Sequence, residues 1–315
     1  MATIYERDVI EKVVANLPLL GTIEDGFAAH AQGRVVVPPV GELNFQDPPG
    51  DTHIKYGYIK DDDVFVIKIA SGFYENPTRG LESGSGCMLV FSQETGQLYS
   101  ILLDEGYLTD VRTALAGAIA AKYLAPKEVD VIGVLGTGVQ ARMQVLALAD
   151  VRPCKRIAVW GRSPDGAMRY LQAMEGEGYE VTLCDTPADV AAQAKLLITT
   201  TPSATPLLNA KDVQVGTHIT AMGSDTPGKQ ELAVDVIARA DLVVADSRSQ
   251  CVERGEIAKA VQAGVFELDK AIELGEVVQQ PSLGRTSENQ ITVADLTGVA
   301  HQDIQIAKAV VEALG

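Results

Sequence analysis

The chain has 315 residues, of which 46% are hydrophobic and 22% are charged. This length and composition are typical of a globular protein with room for two domains with separate cores, and they exclude a largely disordered chain. Lys and Arg number 26 against 42 Asp and Glu, so the formal net charge is −16. Because such a surface repels phosphate backbones and anionic lipid headgroups, we expect neither a nucleic acid nor a membrane as a partner.

The cysteines and the N-terminal segment bear on the cellular compartment. Cys87, Cys154, Cys184 and Cys251 are widely spaced and form no Cys-x-x-Cys pair. Neither a zinc site nor a disulfide framework is therefore indicated, and a reducing cytoplasm is the expected location. The segment MATIYERDVIEKVV carries charges among its apolar residues, and about 18 consecutive apolar residues occur nowhere, so no targeting or membrane-spanning segment is predicted.

The first third of the chain predicts helices followed by strands. Apolar residues at helical spacing predict a helical region over residues 3–32, and VVVPPV predicts an extended segment after it. Short β-branched runs predict strands at 63–70, 86–92 and 96–104, the last two forming a hairpin. We therefore expect a small, largely antiparallel sheet with helices, followed by an Ala-rich helix from Asp110 to Leu124.

From residue 129 onward, short apolar strands alternate with helices. The six predicted strands are 129–135, 156–160, 179–184, 195–201, 217–223 and 241–246. This alternation is typical of βαβ units, so the fold class predicted is α/β, a Rossmann doubly wound parallel sheet with a smaller α+β domain before it. A last helix is predicted from Asp303 to Leu314.

A glycine-rich turn follows the first of these strands and opens a helix over residues 139–149. It consists of Gly136, Thr137, Gly138, Val139, Gln140 and Ala141. Gly136 would make the tight turn, Gly138 would let a pyrophosphate approach the backbone, and Ala141 would allow close packing of helix on strand. The motif alone also fits an ordinary turn in another α/β protein. With the strand and helix alternation behind it, dinucleotide binding is the favoured interpretation.

The end of the second strand bears on which dinucleotide is bound. An acidic residue there usually binds the ribose 2′-hydroxyl, whereas Arg accommodates a 2′-phosphate. This chain has Arg162 and Ser163 and no acid at that place, which inclines the prediction slightly towards NADP. Arg162 would equally stack on adenine or lie in solvent, so NAD and NADP both stay open.

Five segments resemble the ornithine cyclodeaminase and mu-crystallin family, over nearly the whole chain. They are VIKIASGFYENP around Lys68, DEGYLTDVRTALAGAIAAKYL around Arg112, GVLGTGVQA, AMGSDTPGKQEL around Asp225, and DLTGVAHQD. The family also contains archaeal alanine dehydrogenases and imino-acid reductases. The resemblance implies a substrate and dimerisation domain (residues 1–125 with 294–315), a Rossmann domain (residues 126–293) and a homodimer.

The resemblance also implies roles for individual residues. Lys68 and Arg112 match positions that hold the substrate carboxylate, and Asp225 matches the acid beside the substrate nitrogen, so Lys68 and Asp225 are the catalytic candidates. The further cofactor-binding candidates are Thr113, Thr201, Met222 and Gly223. The chemistry fits, because Arg offers a planar fork to a carboxylate, Lys can give up a proton, and a carboxylate can orient an iminium nitrogen. Taken singly, each of the three charges also fits an ordinary surface or turn residue.

One departure from the family pattern concerns the substrate. Where relatives have an Arg after Pro-Val, this chain has Gly41, so one carboxylate contact is missing. His53 and Lys55 would replace it and suit a second carboxylate, which points to iminosuccinate, although polar decoration of a strand explains them equally well. His30, His218 and His301 are expected to be isolated and to offer no metal cluster, so no metal is predicted.

The resemblance implies reduction, with NADH or NADPH, of an α-imino acid, or of an α-keto acid with ammonia, to an L-amino acid. The sharpest version is iminosuccinate to L-aspartate. Two alternatives stay open: a lyase of the ornithine cyclodeaminase type that holds NAD, and a mu-crystallin-like protein that binds NADPH and a small ligand.

Overall fold

The structure is a computed structural model that describes residues 2–73 and 75–315. Tyr74, in the segment VIKIASGFYENP, lies outside the described residues. The chain forms two compact units, the first made of Met1–Arg112 with Val299–Gly315 and the second of Thr113–Gly298. The predicted boundaries at residues 125 and 293, and the role of each domain, stay predictions.

The described residues of the first unit form one seven-stranded sheet. Its strands are β1 (Thr3–Glu6), β2 (Val35–Val36), β3 (Gly41–Gln46), β4 (Pro49–Ile59), β5 (Val64–Gly72), β6 (Gly84–Ser92) and β7 (Leu98–Leu103). The order is β1-β7-β6-β5-β4-β2, with β3 paired to β4. All these pairs are antiparallel except β1 with β7. The helices are α1 (Arg7–Val14), α2 (Leu19–Ala31), the start of α3 (Tyr107–Leu124) and α11 (Ala300–Leu314).

The two faces of this sheet differ. Helix α11 packs on α2 and on strands β4, β5 and β6, and the side chains of Phe27, Val66 and Met88 beneath are at most 1% exposed. On the opposite face, Tyr56 and Tyr58 are 37% and 38% exposed. This second face, which we call the outer face, is apolar although it is only partly covered within the unit.

The second unit is a parallel sheet with helices on both faces. Its strands are β8 (Ile132–Leu135), β9 (Arg156–Trp160), β10 (Glu180–Leu183), β11 (Leu196–Thr199), β12 (His218–Ala221), β13 (Leu242–Ala245), β14 (Ile272–Glu273) and β15 (Thr292–Asp295). Its helices, after the rest of α3, are α4 (Val139–Ala147), α5 (Pro164–Gly176), α6 (Pro187–Ala191), α7 (Val234–Arg239), α8 (Arg248–Cys251), α9 (Gly255–Gln262) and α10 (Leu274–Gln279). Short 3₁₀ helices span Asn76–Arg79 in the first unit and Leu148–Asp150, Ala210–Asp212, Leu268–Lys270 and Pro281–Leu283 in the second.

The strand order β10-β9-β8-β11-β12-β15-β13-β14 begins with the 3-2-1-4-5 arrangement of a Rossmann fold. Alternate residues of each strand enter different hydrophobic clusters. Leu197 and Ile219 belong to one cluster, whereas Leu196 and Ile198 belong to the other. Because both faces are covered, the strands are apolar throughout, which is why the sequence marked them so clearly.

Most predicted elements are confirmed, with one correction near the N-terminus. The six predicted strands of the second unit and the hairpin between β6 and β7 are present. The helical region predicted from residue 3 is wrong at Thr3–Glu6, which forms a strand parallel to β7. Pairing with a distant strand outweighs local helical periodicity there. No described helix is long and apolar enough to cross a bilayer.

Two arginines close the C-terminal end of α3. Arg152 donates to the carbonyl oxygens of Lys122 (2.8 Å) and Pro126 (2.8 Å). Arg285 donates to the Leu124 carbonyl oxygen (2.5 Å) and to Thr292 Oγ1 (3.1 Å). The last carbonyl groups of a helix have no partner within it and carry partial negative charge, so two guanidinium groups satisfy and stabilise them.

Replacing Arg285 by Ala should lower the free energy of unfolding by about 1–3 kcal/mol, since it removes the charged hydrogen bonds to the Leu124 carbonyl oxygen and to Thr292 Oγ1. Chemical denaturation of the purified variant measures this. Arg169→Ala, at an exposed position of α5, is the matched control and should change stability by less than about 0.5 kcal/mol. Equal effects of the two substitutions would contradict this role of Arg285.

Candidate active site

Three cations are buried on the helix-covered face of the first unit's sheet. Lys55 on β4 and Lys68 on β5 are direct cross-strand partners, so their side chains share a face. Their exposed fractions are 8% and 2%, and that of Arg112 on α3 is 4%. We call Lys55, Lys68, Arg112 and Asp303, the acid that joins Lys68 to Arg112, the cationic cluster.

Asp303, in the first turn of α11, links two of these cations. Its Oδ2 lies 3.2 Å from Lys68 Nζ, and its Oδ1 lies 2.8 Å from Arg112 Nε. Arg112 also donates to Gln302 Oε1 at 2.8 Å. Burial acts to raise the pKa of Asp303, but Arg112 and Lys68 outweigh it and hold the pKa below its usual value. The C-terminal helix thus fixes the direction of both cationic side chains.

Lys68 is placed to exchange a proton near neutral pH. Burial lowers its pKa to about 7, with Arg112 and Lys55 acting in the same direction and Asp303 against them. A lysine with such a pKa can serve as an acid or a base at physiological pH. Asp104 is also buried, and burial raises the pKa of its carboxyl group to about 6.

The cations of the cationic cluster lie close together. Lys68 and Arg112 share the carboxylate of Asp303, and Lys55 is the cross-strand partner of Lys68, so like charges repel in a buried place. A bound anion would offset this repulsion, and the planar guanidinium of Arg112 matches a carboxylate. The arrangement therefore suits a small carboxylic acid.

The histidines lie outside the cationic cluster. His53 Nε2 is 3.4 Å from Asp51 Oδ1, and its Nδ1 is 3.9 Å from Glu42 Oε1, so His53 is engaged by acids of the β3–β4 hairpin. The expectation that His30 and His301 are isolated is wrong, because the fold stacks their rings with centroids 5.1 Å apart. His218 is buried between Thr292 Oγ1 and Thr220 Oγ1, at 2.8 and 3.0 Å. Among the described residues, no group of three or more His, Cys, Asp or Glu could hold a metal ion.

The glycine-rich turn lies in the second unit between β8 and α4, where the strand order reverses. Gly136 has φ +121°, and a Cβ there would lie 2.5 Å from Thr200 Oγ1, so the turn requires glycine. A Cβ on Gly138 would meet nothing within 4 Å, and no side chain caps helix α4 at this residue. Ala141 is fully buried against the sheet. An open helix N-terminus with free backbone approach fits a pyrophosphate.

The other candidates from the second strand lie beside this turn. A Cβ on Gly161 would be 2.5 Å from Thr137 Cγ2, so the two loops are in close contact. Arg162 and Ser163 are exposed, and Ser163 Oγ accepts a hydrogen bond from Gly166 N at the start of α5. Val139, which opens α4, is 44% exposed.

A buried glutamine ties several cofactor candidates together. Gln144 Nε2 on α4 donates to the Thr113 carbonyl oxygen (3.0 Å) and lies 3.3 Å from Gln140 Oε1 and 2.7 Å from Met222 Sδ. Gln144 was missed by the sequence analysis, because a glutamine inside a helix carries no motif. It connects the helix after the glycine-rich turn with the loop after β12.

The loop after β12 carries the remaining candidates. Gly223 N donates to Glu231 Oε2 at 2.8 Å, and Thr201 N donates to Glu231 Oε1 at 2.5 Å. Asp225 is about half exposed and lies 2.6 Å from Lys229 Nζ. Glu231 was also missed, although it stands within the segment AMGSDTPGKQEL.

The fold and the turn are those of the Rossmann class. Residues 2–315 match the model of the ornithine cyclodeaminase/mu-crystallin family. The chain belongs to this family, as its motifs predicted.

Similar proteins and solved structures are consistent with this family membership. An uncharacterized cyclodeaminase, y4tK, of Sinorhizobium fredii is 41% identical over 310 residues, which cover 98% of this chain and 94% of the relative. The iminosuccinate reductase of Paracoccus denitrificans is 34% identical over 314 residues, covering 96% and 95%. An archaeal alanine dehydrogenase dimer with bound NAD has a TM-score of 0.88 at 32% identity, covering 99% and 95%. Thermococcus litoralis Δ1-pyrroline-2-carboxylate reductase, in complex with NADH and L-proline, has a TM-score of 0.92 at 25% identity, covering 99% and 97%.

Replacing Asp303 by Asn should destabilise the protein by about 3–5 kcal/mol, because two buried cations lose the carboxylate that neutralises them. Denaturant unfolding measures the change. Glu312→Gln removes the same charge at an exposed position of the same helix, where the side chain is 64% exposed, and should cost less than about 0.5 kcal/mol. A loss no larger for Asp303→Asn than for Glu312→Gln would refute the bridging role of Asp303.

Proposed function

We propose that the protein is an NAD(P)H-dependent oxidoreductase that reduces an α-imino acid, or an α-keto acid with ammonia, to an L-amino acid. The observation that carries this proposal is the cationic cluster, an anion-binding site with a proton-exchanging lysine, in a chain that also has a dinucleotide-binding turn. The relatives named as reductases and as an alanine dehydrogenase support the same reaction class. Either NADH or NADPH fits, since Arg162 is exposed at the position that distinguishes them.

The cationic cluster supports a specific substrate class. Arg112 and Lys68 bind the α-carboxylate, and Asp303 keeps both side chains in place. Lys55, the cross-strand partner of Lys68, supplies a further buried positive charge that suits a second carboxylate. We therefore propose iminosuccinate as the substrate and L-aspartate as the product. Lys55 carries this assignment, and His53 is not needed, because its contacts are with Asp51 and Glu42.

Each group of the proposed site has a separate role in the reaction. The bound dinucleotide would supply the hydride to the imino carbon, and the residues of the glycine-rich turn hold its pyrophosphate. Lys68 supplies the proton that the substrate nitrogen needs, either directly or through a water molecule, since its pKa of about 7 lets it give up a proton at neutral pH. Asp225 is proposed to orient the substrate nitrogen, on the family resemblance.

Oxidation of NADH or NADPH at 340 nm tests the proposed function with three substrate mixtures: oxaloacetate with ammonium, pyruvate with ammonium, and a cyclic ketimine. We expect oxaloacetate with ammonium to be reduced with the highest kcat/KM. Reduction of none of them by either cofactor would overturn the proposal. Release of proline and ammonia from ornithine with trace NAD would instead identify a lyase, and tight cofactor binding without turnover would identify a binding protein.

Lys55→Met should change substrate preference while keeping the shape of the side chain. Loss of the charge that pairs with the second carboxylate should lower kcat/KM for oxaloacetate with ammonium by on the order of 100-fold, with a much smaller effect on pyruvate with ammonium. Lys60→Met, at an exposed position after β4, is the control. An equal loss for both keto acids would remove Lys55 from the specificity site.

The pH dependence of the reaction should report Lys68. Reduction needs its protonated form, so kcat/KM for reduction should fall tenfold per pH unit above about pH 7, while kcat/KM for the reverse oxidation should rise up to about pH 7 and level off above it. Lys68→Arg keeps a charge that does not titrate in this range, so the remaining activity should lose this ionisation. A pH profile that is unchanged in Lys68→Arg would assign the proton to another group.

We also propose a homodimer in a reducing cytoplasm. The outer face of the first unit's sheet is apolar, and Leu43 and Phe45 on β3 extend it with exposed fractions of 56% and 43%. Apolar areas of this kind mark protein interfaces, and the archaeal alanine dehydrogenase is described as a dimer.

All four cysteines are free, which suits a reducing compartment.

The double substitution Phe45→Glu with Tyr58→Glu should convert a dimer into a monomer, because it places charges in a desolvated interface. Sedimentation velocity measures the mass directly. Met168→Glu, on α5 at a position 45% exposed, should leave the dimer intact. A wild-type protein that sediments as a monomer would contradict the proposal.

A further inference from the structure

The side chain of Glu231 accepts several hydrogen bonds in the second unit. Its side chain is fully buried. Oε1 accepts from Thr201 N (2.5 Å) and Thr201 Oγ1 (2.7 Å), and Oε2 accepts from Thr199 Oγ1 (2.6 Å) and Gly223 N (2.8 Å). One carboxylate therefore receives four donors from two separate loops.

These donors lie at the carboxyl ends of two adjacent parallel strands. Thr199 ends β11 and Thr201 follows it, whereas Gly223 follows β12. A Cβ on Gly223 would lie 2.2 Å from the Thr201 carbonyl oxygen and 2.5 Å from Glu231 Oε2. The loops after β11 and β12 are thus in direct contact, and hydrogen bonds to the Glu231 carboxylate join them.

A second buried acid supports the first. Glu256 accepts from Ser224 Oγ (2.5 Å), Glu231 N (2.8 Å) and Leu232 N (3.1 Å). Glu256 therefore fixes the backbone of the segment that carries Glu231. Burial raises the pKa of Glu231 to about 7, with hydrogen bonds from Thr199 and Thr201 acting against burial and Glu256 adding to it. Burying the Glu231 carboxylate costs free energy, so its presence at this position calls for a functional explanation in addition to packing.

In a Rossmann sheet, the two nucleotide halves of the cofactor lie on either side of the point where the strand order reverses. The glycine-rich turn and β9 serve the adenosine half. Strands β11 and β12 lie on the other side, so their loops serve the nicotinamide half. Glu231 joins these loops and makes no contact with the glycine-rich turn among its described hydrogen bonds.

We infer that Glu231 is a positioning residue that fixes the β11 and β12 loops in the arrangement that receives the nicotinamide end of the cofactor. The inference rests on the proposed function only in that a nicotinamide dinucleotide is bound. It does not depend on which imino acid is reduced.

An amide cannot replace this carboxylate. Glutamine keeps the shape but presents one oxygen and one NH₂ group, and an NH₂ group has no acceptor to offer. The Thr199 and Thr201 hydroxyl groups can rotate to accept from it, but Gly223 N and Thr201 N cannot. In Glu231→Gln, one of these two backbone N–H groups would face the NH₂ group of the amide and lose its acceptor. The two loops would then separate.

The test compares the complete dinucleotide with ADP-ribose, which keeps the adenosine, the pyrophosphate and the second ribose and lacks only the nicotinamide ring. Titration of the purified protein with NADH and, separately, with ADP-ribose gives two dissociation constants without any substrate or turnover. Glu231→Gln should raise Kd for NADH by on the order of 10- to 100-fold, and Kd for ADP-ribose should stay within about twofold of wild type. Glu231→Asp keeps both acceptor oxygens and should recover part of the NADH affinity. Glu253→Gln, at an exposed position, should change neither constant.

Thr199→Val provides a second variant if Glu231→Gln does not fold. It keeps the shape of a fully buried residue and removes one donor to Glu231, so Kd for NADH should rise several-fold with ADP-ribose unchanged. Equal weakening of both ligands would overturn the inference, since Glu231 would then support the whole unit. Unchanged NADH affinity in Glu231→Gln and in Thr199→Val would overturn it as well. Failure of imino-acid reduction alone would leave these binding constants and their interpretation unaffected.

Discussion

The carboxylate of Asp303 joins two buried cations, with its oxygens 3.2 Å from Lys68 Nζ and 2.8 Å from Arg112 Nε. Without this acid, Lys55, Lys68 and Arg112 would form a group of like charges with almost no access to water, which is prohibitively unfavourable. With it, two cations gain a fixed direction. We propose that these cations are the feature that a substrate carboxylate recognises.

This constraint explains why the last residues of the chain belong to the first compact unit. Asp303 and Gln302 lie in the first turn of α11, which packs on α2 and on the sheet that carries the two lysines. The chain must therefore pass through the whole second unit before the cationic cluster is complete. Glu231 provides a parallel case in the second unit, where one buried carboxylate holds two loops. In both units, a buried acid positions the groups that we propose to contact the ligand.

The sequence predicted the second unit better than the first. Strands buried on both faces are apolar throughout, and the turn from Gly136 to Ala141 carries its own pattern, so short-range features sufficed. Thr3–Glu6 was misassigned to a helix because its strand is defined only by pairing with β7. The hairpin of β3 and β4 was not recognised as a pair, since its polar and apolar residues alternate weakly.

The same limit applies to the site residues. Lys68 and Arg112 stood out, one as a single charge in an apolar strand and the other through the family motif, and the structure brings them together. Asp303, Gln144 and Glu231 were not singled out, although their hydrogen bonds and ion pairs hold the site. Their partners are distant in the chain, and local patterns carry no information about such pairs.

The proposed function requires that the cationic cluster binds the carboxylates of the substrate. Titration calorimetry with succinate and with propionate, each in two buffers of different ionisation enthalpy at about pH 8, tests it most directly. An anion beside Lys68 raises the pKa of this lysine from about 7, so we predict that succinate binds with uptake of a fraction of a proton and at least about tenfold more tightly than propionate. Equal affinity for the two acids, with no proton taken up, would contradict the account.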